Sequence, residues 1–158
     1  MAGALLVSRN TVLRIVMVDD DVDDIFLTDV AFKRANLPYH FTGFESGRAF
    51  FNHIDETGMD AIDVLLLDVN MPAQDGHDVL AKLYTYEQAS NLCIIMYSTS
   101  VRQLDIDISK HLGAEAYIVK PCSIAESEAA IQKVMDIFEM HQSDCAAAPQ
   151  PKLAYASS

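Results

Sequence analysis

Five short apolar runs, separated by stretches with helical periodicity, leave few folds open to this chain. The runs are residues 15–18, 39–44, 62–67, 92–97 and 116–119. Between the first two, Leu27, Val30, Ala31 and Ala35 recur at helical spacing, and Asn36 and Pro38 close the segment. Ser46 caps a helix carrying Ala49, Phe50 and Ile54 that ends near Gly58. A third helix carries Val79, Leu83 and Tyr86. A fourth has its apolar face at Val101, Leu104, Ile108 and Leu112 and stops at Gly113. Ser123 caps a fifth, with Ile131, Val134, Met135 and Phe138 on its face. Regular alternation of strand and helix predicts an α/β domain with a mostly parallel sheet. Unbroken apolar strands are those covered by helices on both faces.

A chain of 158 residues suits one domain. The folded part is expected over residues 12–141, after an N-terminal extension at 1–11 and before an Ala-, Pro- and Ser-rich flexible tail at 142–158. Eleven basic against 23 acidic side chains give −12, which disfavours nucleic acid and anionic membranes as partners, since both need a basic face. The longest apolar run, 92–97, is too short to span a bilayer. No basic segment precedes the apolar residues near the N-terminus, so no signal peptide is expected. Cys93, Cys122 and Cys145 are scattered, without metal-type spacing, and point to a reducing cytoplasm. The five histidines are dispersed, and no glycine-rich nucleotide loop is present.

Ligands of doubly wound sheets bind beyond the carboxyl ends of the strands. There the first strand is followed by Asp19, Asp20 and Asp21, the third by Asp68 and Asn70, the fourth by Ser98 and the fifth by Lys120. Taken singly, each has a bland reading: the acids as helix caps, Ser98 as a strand-end hydroxyl, Lys120 as a solvated lysine. Asp21, Asp23 and Asp24 open a helix and are assigned mainly to capping and the helix dipole. The conjunction at four strand ends carries more. Neighbouring carboxylates repel, and a hard divalent cation such as Mg²⁺ relieves that repulsion. Counting Asp19, Asp20 and Asp68, one Mg²⁺ with Lys120 brings the site to neutrality. A carboxylate nucleophile backed by a cation, an amine and a hydroxyl is what phosphoryl transfer requires.

These residues resemble the receiver domains of two-component response regulators. The resemblance rests on Val18-Asp-Asp-Asp21, Leu65-Leu-Leu-Asp-Val-Asn-Met-Pro72, Asp75-Gly76, Ile95-Met-Tyr-Ser98 and Tyr117-Ile-Val-Lys-Pro121, in order. Stand-alone receivers, including those paired with bacterial phytochromes, are the most similar. The resemblance implies a flavodoxin-like sheet of order 2-1-3-4-5 with five helices. It implies Asp68 as phosphoacceptor, with Asp19, Asp20, Asp68 and the Asn70 backbone carbonyl as Mg²⁺ ligands and Lys120 as the phosphate-binding lysine. Ser98 and Tyr117 would form the switch, the Tyr117 ring turning in from solvent. The implied partners are a histidine kinase or histidine phosphotransfer protein and a downstream target protein. Ser98, Thr99 and Gln74 depart from the commonest residues at their positions without removing a catalytic group.

Two rival readings stay open on the residues. A Mg²⁺-dependent phosphohydrolase of small substrates would share the aspartyl nucleophile, although Asp68 is followed by Val69 and Asn70 rather than by the D-x-D pattern. A phosphate-independent pseudo-receiver would be a pure interaction module, but its usual mark, loss of an acid or the lysine, is absent.

Overall fold

The computed structural model describes residues 12–147. Strand β1 (Leu13–Val18) pairs with β2 (Tyr39–Phe44) on one side and β3 (Val64–Leu67) on the other. Beyond β3 come β4 (Cys93–Ser98) and β5 (Ala116–Val119), so the sheet runs β2-β1-β3-β4-β5 with every pair parallel. The connecting helices are α1 (Val22–Arg34), α2 (Gly47–Thr57), α3 (Gly76–Leu83), α4 (Gln103–His111) and α5 (Ile124–Ala146), with a 3₁₀ turn at Glu87–Asn91 before β4. This is the doubly wound, flavodoxin-like architecture expected.

Alternation along the strands divides the core in two. Ile15, Met17, Val64, Leu66, Ile95 and Tyr97 join Ala31 and Phe32 of α1 and Ile131, Val134 and Phe138 of α5. Val16, Val18, Leu65, Leu67, Ile94 and Met96 join Phe50, Ile54, Val79 and Leu83 of α2 and α3. With both faces covered, the central strands need no polar face, which is why they read as continuous apolar runs. Three expected caps are in place: Asp21, Ser46 and Ser123 accept from the N–H groups of Asp23, Ala49 and Glu126.

The structure corrects several local readings. Strand β3 starts at Val64, because the Ile62 N–H is spent in a turn on Met59 O at 3.0 Å. Helix α3 stops at Leu83, and Tyr86 instead stacks its ring on Phe51. On α1 the buried stripe is Thr28, Ala31 and Phe32, while Leu27 is exposed. On α4 the expected apolar face holds only at its end: Leu112 packs on the core, but Val101 and Leu104 are exposed, and Asp105 and Ser109 are buried. The surface facing α4 is polar, because His77 of α3 places Nε2 2.9 Å from Ser109 Oγ and 3.2 Å from Asp105 O. Helix α5 runs past 141 to Ala146, so residues 142–146 of the expected tail are helical. Buried His141 ties this stretch down through Glu115 Oε1 at 2.6 Å and Asn91 O at 3.0 Å. The expected extension at 1–11 and the rest of the expected tail, 148–158, lie outside the described residues.

One glycine is dictated by the site. A Cβ on Gly76 would lie 1.9 Å from the Asp68 carbonyl oxygen, and the Gly76 N–H bonds Val69 O at 2.9 Å. The start of α3 therefore presses on the backbone that carries Asp68. Gly58, by contrast, has φ +79° with open space around it. Gly58→Ala should cost about 2 kcal/mol from backbone conformation alone, because φ +79° with ψ 165° is a region that essentially only glycine enters. Gly76→Ala should cost about 3 kcal/mol, because the clash is with main chain that cannot yield. Urea unfolding of both variants checks this, and a cost for Gly76→Ala below that of Gly58→Ala would contradict the close approach.

Candidate phosphoacceptor site

The sheet ladder carries one residue beyond β1 and β3. Asp19 N–H donates to Phe44 O and Asp68 N–H donates to Val18 O, both at 3.0 Å, so the two aspartates leave adjacent strands at the same level. On the far side Lys120 N–H donates to Ser98 O at 2.9 Å. Asp19, Asp68 and Lys120 continue the alternation of Met17, Leu66 and Ile118 toward the α1/α5 side. Ser98 and Tyr117 belong to the opposite rows, toward α3 and α4.

The sequence-expected residues do meet. Asp19, Asp20 and Asp68 each offer a carboxylate oxygen, all within 4.8 Å of one another. Asp19, Asp68, Ser98 and Lys120 are buried, while Asp20 is exposed at the mouth. The Lys120 ammonium lies 2.5 Å from Asp19 Oδ2 and 3.6 Å from Asp68 Oδ2. Asp19 Oδ1 accepts from the Asp21 N–H at 2.9 Å, whereas Asp19 Oδ2 faces Lys120 without well-directed hydrogen-bond geometry. Asn70 is exposed on the loop after β3, its N–H 3.4 Å from Asp68 Oδ1.

Burial sets the electrostatics. It pushes the Asp19 carboxyl up to about 6, against the hydrogen bonds from Lys120 and the Asp21 N–H. Burial also raises Asp68, opposed by the Lys120 charge, the Ser98 hydroxyl and the Asn70 N–H. For Lys120, burial alone would favour the neutral amine, but its hydrogen bonds to Asp19 and Asp24 and the nearby carboxylate charge leave it above its ordinary value. Hard carboxylate oxygens, one of them buried and poorly directed, fit a divalent cation of the Mg²⁺ type.

Asp24 corrects the capping assignment. Asp21 caps α1, and Asp24 turns to Lys120, accepting its N–H at 2.7 Å. Asp20 lies before the cap and outside the helix, so helical spacing gave no signal for this pairing. A second set of residues surrounds Ser98. Its Oγ accepts from the Ser100 N–H at 3.2 Å, and the Ser100 carbonyl accepts the Tyr117 hydroxyl at 2.9 Å. The Tyr117 ring is thus half-buried and already bonded to the loop after β4, not standing in solvent. The Ser100 hydroxyl reaches Asp105 Oδ2 at 2.5 Å, and Arg102 holds both Asp105 oxygens, at 3.0 and 2.8 Å. These contacts hold Asp105 down at about 2. Between α1 and α5 a groove of about 430 Å³, lined by Leu27, Val30, Tyr97, Pro121 and Ile124, opens onto Asp24 and Lys120.

The raised Asp19 value fixes the sign of a pH effect. An acid with a folded pKa near 6 and an unfolded one near 3.8 binds more protons when folded. Its contribution is fully present below the unfolded value and is lost as pH rises through 6, by about 3 kcal/mol at most. Cation-free protein should therefore lose stability between pH 4 and 6 relative to Asp19→Asn. Parallel urea-melt profiles for the two proteins across that window would contradict the burial of an ionisable Asp19.

Comparison with known proteins agrees with this geometry. Residues 15–132 match the response regulator receiver domain family. A probable transcriptional regulator, ycf27 of Cyanidium caldarium, is 30% identical over 123 residues; the match covers 77% of this chain but only 45% of that protein. Among solved structures, the phosphorylated cyanobacterial phytochrome response regulator RcpA shares 23% identity at a TM-score of 0.66, over 89% of this chain and 99% of the other. The bacteriophytochrome response regulator RtBRR shares 25% at 0.63, over 87% and 95%. Receiver domains act on no external substrate, and on the match across most of its described residues this chain belongs to the response regulator receiver domain family.

Proposed function

We propose that this protein works in a two-component phosphorelay, accepting a phosphoryl group on Asp68 from a phosphohistidine of a histidine kinase or histidine phosphotransfer protein. The observation that carries this is the placement of the Asp68 carboxylate: buried, beside Asp19 and Asp20, and 3.6 Å from the Lys120 ammonium. An Asp68 carboxylate oxygen attacks phosphorus, the P–N bond to the donor imidazole breaks, and the imidazole leaves. Bound by Asp19, Asp20, Asp68 and the Asn70 carbonyl, Mg²⁺ would neutralise the carboxylates and polarise the phosphoryl oxygens. Lys120 supplies a fixed positive charge to the same oxygens.

The downstream partner is a target protein that distinguishes the two states. Ser98 would bond a phosphoryl oxygen, and Tyr117, joined to the same loop through Ser100, would carry the change to β5 and α4. A bacterial cytoplasm suits this reading. No disulfide forms among the described residues, and no described helix is long and apolar enough to cross a membrane. Nucleic acid and membrane are not among the partners proposed, given the net charge of −12.

Incubation with ³²P-labelled acetyl phosphate and Mg²⁺ tests the reading. The parent protein should be labelled, and Asp68→Asn should not be, while keeping its fold. Label on Asp68→Asn equal to the parent would remove Asp68 as the acceptor. Ser98→Ala should still be labelled, since Lys120 and the acids remain. It should, however, lose phosphate-dependent amide-exchange protection over α4 and β5; protection matching the parent would rule Ser98 out of the coupling.

A further inference from the structure

Lys120 is held by a carboxylate that lies outside the cation-type oxygen set. Its Nζ is 2.5 Å from Asp19 Oδ2, 2.7 Å from Asp24 Oδ2 and 3.6 Å from Asp68 Oδ2. An ammonium has three N–H donors. Asp24 accepts one of them in a directed hydrogen bond and Asp19 Oδ2 stands against the ammonium as an ion pair, which leaves a donor for the Asp68 side. A phosphoryl oxygen on Asp68 stands further out than the carboxylate oxygen it is joined through. An ammonium just beyond hydrogen-bond reach of Asp68 is therefore already placed to meet one without moving. Asp19 belongs to the three-carboxylate cluster, so its hold on Lys120 is shared with whatever cation that cluster takes. Asp24, on the first turn of α1, is not part of that cluster.

We propose that Asp24 is a positioning residue for phosphoryl transfer: it anchors the Lys120 ammonium from α1, so that the donor N–H left over is aimed at the phosphoryl group on Asp68. This rests on the phosphoacceptor reading above and adds to it a residue on α1 that touches neither the cation nor the phosphoryl group. Its anchoring role is distinct from its charge, and the two have opposite signs. Neutralising an acid at the rim reduces repulsion of an anionic donor and favours transfer. Releasing Lys120 from its anchor disfavours it.

The test compares Asp24→Asn, Asp24→Ala, Asp24→Glu and Asp23→Asn with the parent. Asp23 is exposed on the same helical turn, so Asp23→Asn removes the same charge without touching Lys120. In the labelling reaction an Asp68 oxygen attacks the phosphorus of acetyl phosphate, the bond to the acetyl oxygen breaks and acetate leaves. Asp24→Asn and Asp24→Ala should be labelled about fivefold more slowly than the parent, the scale of one partly exposed ion pair. Asp24→Glu should recover most of the rate, and Asp23→Asn should match or exceed the parent. A second readout is the ¹H–¹⁵N signal of the Lys120 ammonium, assigned by its loss in Lys120→Arg and recorded without cation or phosphate. Its protons should exchange with water faster in Asp24→Asn than in the parent or in Asp23→Asn. Labelling of Asp24→Asn as fast as Asp23→Asn, or an unchanged ammonium exchange rate, overturns the proposal. A parent that takes no label overturns the phosphoacceptor reading instead, and the ammonium exchange still decides whether Asp24 is the anchor.

Discussion

A lysine buried among carboxylates at one end of the sheet is the constraint that the rest of the structure serves. Stripping water from an ammonium and from two aspartates costs several kcal/mol per ion, recovered only through short, well-placed partners. Lys120 therefore has two carboxylates within hydrogen-bonding distance and a third just beyond. Holding that arrangement requires strands that end at the same level, which the β1–β3 register provides by pairing Val18 with Leu67 one step before the two aspartates. It also requires a loop after β3 that cannot drift, and the contact of Gly76 with the Asp68 backbone supplies that. The two apolar cores on either side make the sheet stiff enough to keep these positions.

Asp24 also changes the charge count. Asp19, Asp20 and Asp68 against one divalent cation and Lys120 sum to zero, but Asp24 makes the total −1. Without a cation, the hydrogen bond to Asp24 and the surrounding carboxylate charge keep the buried lysine charged, above its ordinary value. A site left negative after taking a cation also opposes an anionic phosphoryl donor. The balance is thus between keeping the ammonium fixed and admitting the phosphoryl group, and Asp24 acts on both sides of it.

Most of the fold was legible in the sequence, because short apolar runs alternating with 3.6-residue periodicity admit little else, and the ranges of β2 and β5 were read to the residue. The site was legible for the same reason: in a doubly wound sheet, strand ends collect the chemistry. What escaped reading was tertiary. On α4 the expected stripe of Val101, Leu104, Ile108 and Leu112 is sound periodicity, but nothing local says that the facing surface is His77 rather than an apolar wall. On α1 three acids in one turn look alike as caps; which one caps and which one turns to Lys120 depends on a side chain 96 positions away. The extension of α5 past residue 141 depends likewise on Glu115 and Asn91, which no helical pattern announces.

The polar packing of α4 explains why Val101 and Leu104 are outside. Ser100 is bonded through its N–H to Ser98, through its carbonyl to Tyr117 and through its hydroxyl to Asp105. Asp105 in turn meets Arg102 by its carboxylate and His77 by its carbonyl, while the Ser109 hydroxyl closes back on the same carbonyl at 2.7 Å. A loop held at three points by one residue has little slack, and these bonds join Ser98 to β5 and to the first turn of α4. Hydrogen bonds, unlike a greasy interface, have discrete partners and exchange them in steps, which suits the two-state switching proposed for this face. Val101, Leu104 and Val119 are exposed on the segments joined in this way. Apolar side chains thus stand outside on these segments while polar ones hold them in place, which is the surface that the proposed target protein would read.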